Sequence, residues 1–400
     1  MARATSPRTS RSASALPRPV LLGLLILSAV AVGILISAVG PTVPAIAARL
    51  HARESDLGVV FGTTYIMSSL ATPIIGRLYD ALGPRVLFPL GQTLAACGAL
   101  GEGFSPSLPS LAAAGALAGL GIGICSICNN LTATALFPER GESVLNLLNA
   151  MFGAGAFLGP LIARFALLQA GDYAPVFASC AALLAISVPL MVMALPPRVD
   201  THRERAPLRV ALAEPLLWAH AGLAFVYLGA EIGFGGWIVA ILQHSARLSP
   251  TSAAPIASLY WLSLALGGVP TALLLRRGMA APAIVLINAA VATAAAVLLL
   301  AGSGVVPLAA LAAAWLGLSF SPIYPLNIAA ALRMIGARTP QAIGAVGSVV
   351  LTAGQLGAAT LPPLQGQLLR FGSPPAIGIV CVYGLIMLGL QHTIMRLEPS

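Results

Sequence analysis

The stretch "GRLYDALGPRVL", Gly76 to Leu87, is a charged island between two long apolar runs. It carries Arg77 and Arg85, the carboxylate of Asp80, and two glycines, Gly76 and Gly83. Glycine tolerates backbone conformations that other residues avoid, so the pair permits a tight turn between two helices. Asp80 can face a helix N-terminus or an arginine across an interface. The flanking runs, 56–76 and 86–105, are each long enough for the hydrocarbon thickness of a bilayer. The stretch therefore reads as a hairpin at a membrane surface, joining two spans.

The same pattern extends in both directions. The chain has 400 residues, of which 58% are hydrophobic and only 8% charged. Its mean hydropathy is +0.93. A soluble protein carries about a quarter charged residues. Twelve spans are expected, at 20–43, 56–76, 86–105, 108–137, 143–168, 174–195, 216–242, 252–275, 280–301, 305–332, 340–364 and 374–395. A backbone in lipid must satisfy its own hydrogen bonds, so the spans are expected to be helices.

Charge sets the orientation. All 21 basic residues other than histidine are arginine, and 16 of them fall on the side of the N-terminal tail and the Gly76 hairpin, against 5 on the other side. The positive-inside rule then places both termini in the cytoplasm of a multi-pass protein of the cell membrane. The net charge of +9 follows from topology and calls for no nucleic acid. Residues 1–19 form an Arg- and Ser-rich tail expected to be disordered. "PAIAARL" (44–50) resembles a signal cleavage site, but the apolar stretch before it is too long for a signal peptide. The five cysteines fall within spans as small packing residues, and the histidines are scattered, so no metal and no cofactor is expected.

The longest internal polar segment, 196–215, divides the chain into an N-terminal half (20–195) and a C-terminal half (216–400) of six spans each. A shift of about 197 residues lays Pro73 on Pro270 and Asn130 on Asn327. Repeated six-helix halves with a solute site between them are a known transporter plan. Gly76, Asp80, Gly83 and Arg85, with Arg77 beside them, resemble the signature loop of the major facilitator superfamily. The corresponding loop after span eight keeps only Arg276 and Arg277. "GLGIGICSICNNL" (119–131), "FPERGESVLNLLNAMFGAGAFLGPLI" (137–162), "YLGAEIGFGGW" (227–237) and "GLSFSPIYPLN" (317–327) resemble the sugar-porter branch that includes the fucose permeases. The resemblance implies an all-α fold of twelve transmembrane helices in two pseudo-symmetric halves. It also implies a cytoplasmic gate at Gly76, Arg77, Asp80, Gly83 and Arg85. The chain departs from that branch in having no carboxylate in span one, Ser126 where relatives often have a carboxylate, and Asn149 where they often have histidine.

"GLGIG" (119–123) and "GAGAFLG" (153–159) are not dinucleotide fingerprints, because both lie inside spans. Gly119 with Gly123, and Gly155 with Gly159, are four apart on one helix face, a spacing that lets helices approach closely. Gly155, Gly159 and Pro160 also resemble an element shared by facilitator antiporters and the sugar branch.

Glu231 stands near the middle of span seven, where a carboxylate costs roughly 2.5–3.5 kcal/mol on insertion scales. It should face a watery cavity or a partner. Tyr227, one turn earlier, shares its face. Gly233, Gly235 and Gly236 follow, each costing about 1 kcal/mol of helix stability relative to alanine. They predict a loosened or broken helix before Trp237. A carboxylate, a phenol and an indole suit a polyhydroxylated ring. Asn130, its mate Asn327, and Gln355 are further candidates for the solute site. Asn129 is adjacent to Asn130, so only one of the two can face inward fully, and Asn146 and Asn149, near the cytoplasmic end of span five, are candidates for the inner gate. Glu102 and Asp172 lie near span ends, and Trp261 and Trp315 read as packing- or lipid-facing.

The expected function is secondary transport of a small polar solute, sugar-like in class, by alternating access in a monomer. If protons are coupled to it, Glu231 is the best carrier. The first alternative is a proton-coupled exporter of drugs or metabolites, which a wide, apolar, aromatic cavity would favour. A remote alternative is a membrane-embedded enzyme or receptor, but no cluster of His, Asp or Ser near one membrane face supports it. An ATP-driven pump lacks its phosphate-binding loop.

Overall fold

The computed structural model describes residues 17–197, 208–338 and 343–397. Most of the expected tail (1–16) and the middle of the expected linker (198–207) lie outside the described residues. The first half consists of α1 (Arg18–Arg49), α2 (Gly58–Leu82), α3 (Pro84–Phe104), α4 (Leu108–Leu136), α5 (Gly141–Ala170) and α6 (Ala174–Ala194). A short α7 (Leu208–Leu212) leads into α8 (Pro215–Ala246), α9 (Pro250–Leu266), α10 (Gly268–Arg276) and α11 (Ala281–Gly302). The chain continues through α12 (Val306–Phe320), α13 (Ile323–Arg338), α14 (Ile343–Leu368) and α15 (Ser373–Leu397). Each of the twelve expected spans coincides with one helix or with a successive pair, α9 with α10 and α12 with α13. Among the described residues, 10 helical rods are long and apolar enough to cross a bilayer. An eleventh is α2, which bends by 57° between Thr72 and Ile74. The twelfth helix of the bundle is α3.

Local sequence explains where the rods begin and turn. Nine of them, α1, α3, α4, α6, α8, α9, α11, α12 and α15, carry proline in their first two positions. Proline lacks an N–H there and has the helical φ already set. Between α2 and α3 only Gly83 remains, with φ +74°, and Pro84 starts the next helix at once. An L side chain is strained at that φ, so the hairpin needs this glycine.

The two halves pack alike. In the first, α1 lies on α5, α2 on α4, and α3 on both α4 and α6. In the second, α8 lies on α14, α9 on α12, and α11 on both α12 and α15. These are the same pairings at corresponding positions of the repeat. The expected close approaches are present: Gly119 and Gly123 meet α2 at Thr64 and Ser68, and Gly155 and Gly159 meet α1.

Helix α8 is apolar all round, which marks a helix enclosed by protein. Its most apolar window is 89% buried, against 61% or less for every other span that crosses the bundle unbroken. Contacts between the halves run through α1 on α8, α2 on α14 and α5 on α9. Gly40 meets Gly236, and Gly58 meets Pro363. These meetings lie toward the face opposite the Gly83 turn. We call the two ends of the bundle the hairpin face and the ion-pair face.

Candidate functional site

Glu231 is buried on α8, and the Tyr227 hydroxyl one turn earlier hydrogen-bonds its carboxylate. Tyr324 of α13 stacks on Tyr227 with ring centroids 5.5 Å apart, and Phe320 meets the same ring edge-on at 5.8 Å. The Tyr260 hydroxyl donates to the Glu231 carbonyl oxygen at 3.0 Å. Tyr65 of α2, Tyr260 and Tyr324 all lie within electrostatic reach of the carboxylate. Four of the chain's seven tyrosines thus converge on one acid.

Beside this cluster a cavity of about 20 Å³ sits between the halves. That is room for about one or two waters. Leu35, Val39, Val60 and Ile122 from the first half and Ile232 from the second form its apolar wall. Three polar groups of the wall, the Tyr65 hydroxyl, Glu102 Oε2 and Trp261 Nε1, have no hydrogen-bond partner among the described residues. All three side chains are more than nine-tenths buried. Buried polar groups are rarely left unpaired, so these await water or a ligand.

Several expectations require correction. α8 is not broken: it runs unbroken from Pro215 to Ala246 through all three glycines. A Cβ at Gly235 would stand 2.6 Å from the Trp261 ring, and one at Gly236 2.6 Å from the Phe61 ring. At Gly233 it would meet Gln365 Oε1 at 2.5 Å. The glycines give clearance to neighbouring helices, and that packing outweighs their low helix propensity. Trp237 does not line the cavity. It is fully buried, donates its indole N–H to the Pro362 carbonyl at 2.8 Å, and packs on Phe61. Trp261, expected to face lipid or packing, is a cavity residue. Glu102 is 2% exposed and lines the central cavity, so Glu231 is not the sole buried acid.

The amides separate. Asn327 is buried against His220, its Oδ1 2.7 Å from His220 Nδ1 and its Nδ2 donating to the His220 carbonyl at 3.0 Å. Asn130 is exposed and shares a cavity of about 100 Å³ with Ser126, Asn129 and Asn149, in the hairpin-facing part of the first half. Asn129 is buried there, its Oδ1 unpartnered among the described residues. The repeat mates Asn130 and Asn327 therefore have different surroundings. Gln355 of α14 is half-buried with its Oε1 unpartnered among the described residues, and Asn146 is exposed. At the hairpin, Arg77, Asp80 and Arg85 are exposed, Gly76 is half-buried and Gly83 buried. Arg85 Nε donates to the Val192 carbonyl at 2.6 Å, tying the hairpin to α6 of its own half.

On the ion-pair face the halves are joined by polar contacts that sequence reasoning missed. Arg370 Nη2 lies 2.6 Å from Asp56 Oδ1, and Arg370 Nε donates to Ser55 Oγ at 2.9 Å. Gln367 Nε2 donates to the Ser55 carbonyl at 3.2 Å, and His244 Nε2 lies 3.1 Å from Glu54 Oε2. Nothing in linear spacing pairs residues 190 to 315 positions apart. The tyrosines did leave a signal, since Tyr65, Tyr227 and Tyr260 each fall mid-span.

The profile of the Major Facilitator Superfamily matches residues 25–362. An uncharacterized transporter of Sinorhizobium fredii is 30% identical over 132 residues, covering 32% of this chain and 34% of that one. The sodium-dependent glucose transporter 1 of Rattus norvegicus is 27% identical over 144 residues, covering 36% of this chain and 30% of its own. The matched segments thus span about a third of those relatives. Among solved structures, a mutant of the nucleoside transporter NupG superposes with a TM-score of 0.79 at 12% identity, covering 95% of this chain and 100% of that one. A bacterial homolog of the human lysosomal transporter Spinster, solved in an inward-facing and unoccupied conformation, gives 0.75 at 14% identity, covering 96% and 98%. At such identities the likeness concerns the fold.

Proposed function

The chain belongs to the major facilitator superfamily, and from that premise we propose that it moves a small, uncharged, hydroxylated solute, sugar-like in class, by alternating access. It is a transporter and not an enzyme, as its family and relatives are. The observation that carries the solute reading is Glu231 held by Tyr227 among four tyrosines, beside a narrow cavity with unpaired polar groups. A carboxylate accepts hydroxyl hydrogens, and tyrosine rings cover the C–H faces of a sugar. The relative whose name gives a substrate is a glucose transporter, and a fold neighbour is a nucleoside transporter. Both names denote hydroxylated ring solutes.

The bundle is closed at the ion-pair face by Arg370–Asp56 and His244–Glu54, while Ser126, Asn130 and Asn149 are exposed toward the hairpin face. With the arginine-rich side in the cytoplasm, the closed ion-pair face is the outer gate. Glu231 is the solute ligand and the candidate proton carrier. Tyr227, Asn130 and Gln355 are further ligands as the halves move, and Trp237 and Asn327 hold the site in shape. Gly76, Arg77, Asp80, Gly83 and Arg85 gate the opposite side.

One observation favours a second reading, export of a drug or metabolite: the wall of the central cavity is largely aliphatic and aromatic. A thermal-shift screen of the purified full chain against hexoses, polyols, nucleosides and hydrophobic cations separates the two. A ligand that binds only the folded state raises its melting temperature. Stabilisation by sugars, polyols or nucleosides supports the first reading. Stabilisation by hydrophobic cations alone overturns it.

A further inference from the structure

Glu102 is a second acid buried in the bundle, and the reading above leaves it without a task. It sits on α3 of the first half, 2% exposed, with Oε2 unpartnered among the described residues. It lines the central cavity and also a smaller one of about 10 Å³, walled by Val39, Val43, Leu57, Leu111 and Phe177. That second cavity lies toward the ion-pair face. Glu102 therefore stands between the closed outer gate and the solute site.

Among the described residues, its surroundings offer the carboxylate no counter-charge. Arg49 of α1 directs its guanidinium to the Gly103 carbonyl at 3.4 Å, to Asp172 at 3.9 Å and to the Tyr173 ring at 5.6 Å. From α6 the titratable neighbour is Cys180, and from α2 it is Tyr65. α4 presents Leu111, Ala118 and Ile122, α8 presents Ile232 and Gly236, and α9 presents the Trp261 indole. An ionised carboxylate among such groups is costly. A carboxyl kept at such a place for a task is one that takes up and gives away a proton.

Tyr65 connects the two acids. Its unpartnered hydroxyl opens on the cavity that Glu102 lines, and it lies within electrostatic reach of Glu231. Glu102 and Tyr65 ride on the first half, Glu231 on the second. We propose that Glu102 is a proton-binding site coupled to Glu231 across the interface of the halves, through the Tyr65 hydroxyl and water in the central cavity. The inference rests on the transporter reading with Glu231 as coupling carboxylate. In the transfer, the Glu102 O–H bond breaks and its proton joins a cavity water. That water passes a proton to the Tyr65 oxygen, whose own hydroxyl proton moves through a second cavity water to Glu231. Glu102 is left as carboxylate, Glu231 becomes the neutral acid, Tyr65 and the waters are restored, and no electron is transferred. Separation of the halves interrupts the path, so transfer is confined to one stage of the cycle.

The test is infrared difference spectroscopy of the full chain in lipid vesicles, stepped between mildly acidic and mildly alkaline pH. A protonated carboxyl gives a C=O band that shifts in D2O. The expected result is two such components, one lost in Glu102→Gln and the other in Glu231→Gln. Tyr65→Phe keeps both but slows the response of the Glu231 component after a pH jump. Should Glu102→Gln not fold, Glu102→Asp displaces its component instead. A spectrum unchanged by substitution of Glu102 overturns the proposal. An unchanged jump response in Tyr65→Phe overturns the coupling. Loss of a component in Glu102→Gln with none lost in Glu231→Gln overturns Glu231 as carrier, and leaves Glu102 as an independent proton site.

Discussion

Arg370 and Asp56 lie 2.6 Å apart and belong to opposite halves of the chain, where they join the turn after α1 to the end of α14. Both side chains are partly exposed, so the pair contributes only about 0.2–1 kcal/mol. A weak bond suits the outer gate proposed above. Asp56→Asn is expected to raise thiol labelling of Val60→Cys from the ion-pair face by up to about fivefold, the factor that 1 kcal/mol allows. Val60 is buried and lines both inner cavities. Unchanged labelling would remove this contact from the gate.

Glu231→Gln keeps the shape and one acceptor but cannot titrate. If Glu231 carries the proton, the variant loses concentrative uptake and retains counterflow exchange. If Glu231 only binds solute, uptake and exchange weaken together. Normal uptake, exchange and ligand affinity in this variant would make the carboxylate a purely structural group.

Trp237→Phe removes the indole N–H from the Pro362 carbonyl, a buried hydrogen bond of 2.8 Å. The expected loss is about 1–3 kcal/mol of stability, seen as a lower melting temperature with ligand affinity preserved. Weakened affinity at unchanged melting temperature would return Trp237 to the solute site.

Gly236→Val places a branched side chain against Phe61 and the Gly40 turn of α1. Overpacking of this kind costs about 1–3 kcal/mol, and here it falls on the state closed at the ion-pair face. Labelling of Val60→Cys should rise in this variant. Gly233→Ala meets Gln365 and Pro362 of α14 within its own half and should leave labelling near the parent level. Equal labelling in both variants would sink the clearance role of Gly236.

The membrane-spanning class, the places of the twelve helices and the turn at Gly83 were legible in the amino-acid order alone. Each depends on a property local to a segment: about 20 apolar residues to cross a bilayer, or a glycine where φ is positive. Glu231 with Tyr227 was legible for the same reason, since residues four apart on a helix share a face. The run Gly233, Gly235 and Gly236 was misread because propensity is a local quantity. Whether a glycine weakens a helix or admits a neighbour depends on what Trp261, Phe61 and Gln365 bring against it. Glu102 looked peripheral because it is near the end of α3, and only the packing of α1, α2, α4 and α6 around it makes it a buried acid. Asp56 with Arg370 and Glu54 with His244 are joined where the two halves meet. Charge pairs of that kind depend on distances in space, which folding sets and one-dimensional spacing does not encode.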